Sequence, residues 1–198
     1  MTLPTPKAES VHEDGTSDGW TPVPGFLRDV GPDGQTQVVV SVPSGMLAAV
    51  HAALIGTLAE PISLLYRQVV DRRNPGPNGA PPRDFVAVDL RLPDVLAALA
   101  KFDDLVYHDA RCQIWVRGGM GEQVVLDDEG LVFCAPDDPV FEDVLVGFGL
   151  PPELSDTIKE RNYPKHWFHG ACDAQEEGLI AALQLTEISA PGRAARHH

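Results

Sequence analysis

The sequence is short of positive charge. Lys and Arg total 15 against 29 Asp and Glu, a formal net charge of −14 over 198 residues. Gripping a phosphate backbone takes clustered cations that displace its counterions, so this balance argues against nucleic acid as the main partner. Anionic membrane surfaces are disfavoured for the same reason. Cysteine is scarce: only Cys112, Cys134 and Cys172 are present. An odd number without framework spacing excludes a disulfide scaffold and points to a reducing compartment, the cytoplasm. The chain has no apolar run near the roughly 20 residues that span a bilayer. Its start, MTLPTPKAESVHEDGTSDGW, lacks the apolar core of a secretory signal. Also missing are G-x-S-x-G, H-E-x-x-H, the P-loop and the dinucleotide fingerprint.

What remains suits a globular protein, with 43% hydrophobic and 22% charged residues. That is enough apolar material for one core without metal or disulfide staples. Arg outnumbers Lys, which reads as the coding bias of a GC-rich bacterial genome. Residues 1–24 are acidic and Pro-rich and are expected to be a disordered tail; 190–198, ending in His197 and His198, are expected to be a flexible C-terminal tail. Residues 25–189 are then a single α+β domain.

Within it, Gln37–Val42 is a β-branched run that suits a strand. Ser44 is placed to cap a helix carrying Leu47, Val50, His51, Leu54 and Leu58 at helical spacing. Ile62, Leu65, Tyr66, Val69 and Arg73 predict a second helix over 61–73, while the alternation Ile62, Leu64, Tyr66 keeps a strand open. Residues 74–83, NPGPNGAPPR, read as a loop. Phe85–Leu90 reads as a strand, and Pro93 opens a helix with Val95, Leu96, Leu99 and Phe102 inward. The clearest pattern is a three-stranded antiparallel meander over about 112–135, with GGMG and DDEG as its turns. One or two further strands should extend it, with helices packed on one face. Helices are expected after Asp138, over 151–161, and after Asp173, where Glu176 completes a capping-box-like start.

Two polar clusters invite chemistry. His166, His169 and Cys172 are spaced by three and would share a side if helical, and imidazole with thiolate suits zinc. Cys172 precedes a predicted helix start, where backbone N–H groups favour thiolate, and His166, His169 or His108 would be the base. The neighbouring acids Asp173, Glu176 and Glu177 oppose that thiolate. His108-Asp109 is a possible acid–base pair, but adjacent residues on an extended chain point apart. GGMG joins two strands and not a strand to a helix, so it reads as a hairpin turn.

Charge is unevenly placed. Between Asp103 and Asp143 eleven acids face two arginines, whereas the stretch from Arg67 to Arg91 is net basic. The functional expectation is therefore a non-catalytic intracellular protein-binding module of a regulatory or immunity type, which engages a basic protein. Its candidate binding residues are Asp127, Asp128, Glu129, Asp137 and Asp138. The alternative is a zinc-dependent or cysteine-nucleophile enzyme built on His166, His169 and Cys172. No cofactor other than zinc is suggested.

Overall fold

The computed structural model describes residues 5–31, 34–74 and 80–188. The expected C-terminal tail 190–198 and the middle of the loop 74–83 lie outside the described residues. In chain order the strands are β1 (Ala8–Ser10), β2 (Gly25–Val30), β3 (Thr36–Ser41), β4 (Ile62–Gln68), β5 (Arg83–Leu90), β6 (Cys112–Arg117), β7 (Gln123–Leu126), β8 (Val132–Ala135), β9 (Pro164–His166) and β10 (Thr186–Ile188). The helices are α1 (Ser44–Ile55), α2 (Leu92–Lys101), α3 (Asp103–His108), α4 (Pro139–Gly147) and α5 (Cys172–Ala182). Among the described residues, no helix is long and apolar enough to cross a membrane.

The fold is α+β. Eight strands form one antiparallel sheet in the order β10-β5-β4-β6-β7-β8-β3-β2, and β1 pairs with β9 in a separate two-stranded sheet. The expected meander is β6-β7-β8 at the centre. It is extended by β4, β5 and β10 on one side and by β3 and β2 on the other, more than the one or two strands expected. Alternation buries Ile114, Val116, Val124, Leu126, Val132 and Cys134 against Leu47, Leu54, Leu99, Leu105, Phe141 and Leu179 of the helices. That contact is the main core.

Residues 61–73 do not form the predicted helix. Ile62, Leu64, Tyr66 and Gln68 are buried while Ser63, Leu65 and Arg67 are half-exposed, the period of a strand. Helical spacing arose because Leu65 is also apolar although it faces outward. It stands in a row that crosses the sheet: Leu65 opposes Trp115, Trp115 opposes Val125, and Val125 opposes Phe133. The row continues through Val39 to Leu27.

Three other expectations change. Over 151–161 only Ile158–Glu160 turns, as a short 3-10 segment closed by a Thr157–Glu160 capping box. α3, directly after α2, was hidden in what reads as a polar connection. Within the expected tail 1–24, residues 8–10 are a strand and Lys7 is only 1% exposed, its Nζ donating to the carbonyls of Val106 and Cys112 at 3.1 and 2.8 Å. Trp20, Phe133, Ala8, Leu131 and Ile158 make a second small core beside it. Composition hid this, because one lysine and a few apolar residues anchor an otherwise polar stretch.

Candidate functional site

His166, His169 and Cys172 do not share a helix face. His166 ends β9, His169 sits in the following loop, and Cys172 begins α5. Among the described residues no group of three or more His, Cys, Asp or Glu side chains gathers as a metal site. Cys172 is buried, and burial, reinforced by the charge of Asp109, pushes its thiol up to about 12. A group held in that state is a thiol at neutral pH. His108 closes α3, with Nδ1 2.7 Å from the Thr5 carbonyl oxygen. His108 and Cys172 therefore each serve a different piece of the fold. Cys112 and Cys134 are also buried, and burial pushes Cys112 up to about 11.

What the structure does bring together here is an arginine. Arg111 is 1% exposed, and its guanidinium donates to both carboxylate oxygens of Asp109 at 2.9 and 3.0 Å. It donates further to Asp173 Oδ1 at 2.6 Å and to the His169 carbonyl at 2.7 Å. Burial opposes its charge, but the hydrogen bonds it donates to Asp109 and Asp173 prevail and raise its pKa. Glu176 lies 3.5 Å from Arg111 and accepts from Tyr66 Oη at 2.5 Å and from Gln68 Nε2 at 2.8 Å. Asp173 and Glu176, read as a helix cap, face Arg111 instead, and the helix cap is Ala171 without a side-chain bond. The cluster staples α5 and the 166–172 loop to β4 and β6. Its buried donors and acceptors are spent on one another, which suits a structural role.

The five candidate acids separate into two groups at opposite ends of β8. At the β7-β8 turn, Asp127 accepts from the backbone N–H groups of Glu129 and Leu131, and Lys159 Nζ stands 3.0 Å from it. Glu129 lies 3.7 Å from the same lysine, and Asp128 accepts from Gln113 Nε2 at 2.8 Å. Burial, with the charge of Asp127 behind it, raises the Glu129 pKa. This turn is tied down by its neighbours.

The other group lies on α4. Asp138 caps the helix, accepting from Val140 N–H at 2.9 Å. Asp137 and Glu142 share Arg28 of the edge strand β2 at 3.6 and 2.6 Å. Asp143 is exposed on the next turn. Between these acids α4 exposes carbon: Val140 is 40%, Val146 60% and Phe148 38% exposed. Val140 and Asp143, and Asp143 and Val146, are three apart and therefore neighbours on the helix surface. The sequence pattern gives Val140, Phe141, Val144, Leu145 and Phe148 together as the apolar face of this helix. The structure buries Phe141 and Leu145 and leaves Val140 and Phe148 outside. Compared with known proteins, the chain matches no family model, no curated protein and no solved structure.

Proposed function

We propose that this chain is a non-catalytic protein-binding module and that α4 is its docking element, offered to a basic partner. The observation that carries the reading is the mixture of exposed Val140, Val146 and Phe148 with Asp137, Asp138, Glu142 and Asp143 on one helix and its ends. Apolar side chains supply contact energy on desolvation, while surplus negative potential steers a cationic surface to them. Asp127, Asp128 and Glu129 contribute to the field but hold their own turn. A partner suited to this helix carries Lys or Arg around an apolar centre. A regulatory or immunity-type role, in which the partner is a basic effector held inactive, follows from the same chemistry.

The test is co-purification from the native host followed by zero-length carbodiimide cross-linking and mass spectrometry. We expect one partner in equal amount, cross-linked from Asp138 or Asp143 to its lysines, and lost from Val146→Asp and Asp143→Lys. Recovery of the chain alone at every salt concentration, or cross-links that avoid α4, overturns the reading.

A further inference from the structure

Away from α4, the sheet face not covered by helices holds a hollow of about 440 Å³. Its floor is the row Trp115, Val125 and Phe133, and its polar lining includes Gln37, Gln113 and Gln123. Trp115 and Phe133 stand two strands apart, roughly 10 Å at ordinary strand spacing. The volume falls within the roughly 300–1,000 Å³ of small-ligand pockets.

The charges at its rim are already matched. Arg67 donates to both oxygens of Asp84 at 2.8 and 3.0 Å, with its Cζ 5.6 Å from the Trp115 ring centre. Lys159 stands over the Phe133 ring at 4.9 Å and pairs with Asp127. An anionic ligand would meet Asp127 and Asp128, and a cationic one Arg67 and Lys159. The interior is thus a neutral surface of ring, aliphatic carbon and carboxamide. It is also fixed without a ligand: Trp115 Nε1–H donates to Gln113 Oε1 at 3.1 Å, and Gln113 Nε2–H donates to Asp128 Oδ1.

We infer that this hollow binds an uncharged saccharide, with Trp115 as the stacking platform. A pyranose has an apolar C–H face and a rim of hydroxyls. Arg67 lies over part of the Trp115 indole, and the part of the ring that lines the hollow receives the first. Gln113 is spent on Trp115 and Asp128, so the carboxamides of Gln37 and Gln123 supply the donor and acceptor side by side that suit neighbouring hydroxyls. Asp128 adds an acceptor at the rim. The hydrogen-bond chain from Trp115 to Asp128 holds the ring before the sugar arrives, so binding does not have to order it. The site is separate from α4, so either assignment survives the loss of the other.

The experiment is titration calorimetry on the full chain with neutral tetrasaccharides derived from cellulose, starch, xylan and chitin, and with a heparin tetrasaccharide as the charged comparison. At least one neutral probe should bind, and Trp115→Ala should weaken it about tenfold, the scale of a lost aromatic contact. Gln123→Ala should weaken it less and decides the matter if Trp115→Ala fails to fold. Val146→Asp should leave saccharide binding unchanged. No heat from any neutral probe at millimolar concentration, preference for the heparin fragment, or affinity indifferent to both groove variants overturns the proposal.

Discussion

Arg111 and Arg28 both face more than one carboxylate, and they do opposite things. Arg111 is sealed inside, its side chain 1% exposed, between Asp109, Asp173 and Glu176. Arg28 lies on an edge strand with its side chain 53% exposed, between Asp137 and Glu142. The interior cluster has surrendered its hydration and depends on every partner being present. The surface cluster keeps its water, so its ion pairs contribute little to folding but remain available for exchange with a visitor. Residue type alone separates recognition from scaffolding poorly; solvent does it.

The largest expected effect comes from breaking the inner cluster. Arg111→Met leaves Asp109 buried without its cation and Glu176 with only Arg73, 3.8 Å away, and should cost about 4 kcal/mol, read as a drop in the urea midpoint. An unchanged midpoint would mean that the guanidinium is not what holds those carboxylates inside.

A second buried polar pair sharpens the contrast through pH. His51 is fully buried, with Nδ1 3.2 Å from Tyr107 Oη, and burial, aided by the charge of Lys7, pushes it down to about 3. A histidine depressed in the folded state is protonated first in the unfolded chain. Its contribution is therefore complete above the unfolded value of 6.5 and is lost as pH falls towards 3. The loss should reach about 3 kcal/mol by pH 4. The double variant His51→Leu/Tyr107→Phe removes both polar partners, and its stability curve should be flatter between pH 7 and pH 4. Matching slopes in the two proteins would exclude this histidine as the source.

The smallest effect belongs to the surface. Arg28→Ala should change stability by less than about 1 kcal/mol in thermal melts. Taking a cation off the proposed docking face should also speed association with a basic partner at low salt. A large destabilisation would move Arg28 into the same class as Arg111.

The sequence revealed elements whose side chains answer to one neighbour layer. The meander over 112–135 was legible because three short apolar runs are cut by the turns GGMG and DDEG, even though Trp115 and Val125 put carbon on the outer face as well. β4 was ambiguous because both of its faces touch apolar material, so Leu65 imitates a helical repeat. The Arg111 cluster was invisible because its members sit far apart in the chain. Asp173 and Glu176 carry a legitimate capping pattern, and only the approach of Arg111 claims them. Lys7 gave no signal at all, since one lysine among polar residues marks a tail unless distant carbonyls receive it. The aromatic row was legible residue by residue, but its alignment depends on registers between strands from 27 to 133.

β1 has a consequence for how the chain is made. Among the described residues, Ala8–Ser10 take their strand partners from Pro164–His166. During synthesis β1 must wait until residues 164–166 have been made before it can pair. Until then the carbonyls of Val106 and Cys112 have no ammonium to satisfy them. Closure over such a separation is slow. β1 is thus a late stitch of the fold, and a bulky insertion placed ahead of it would delay the step that seals it.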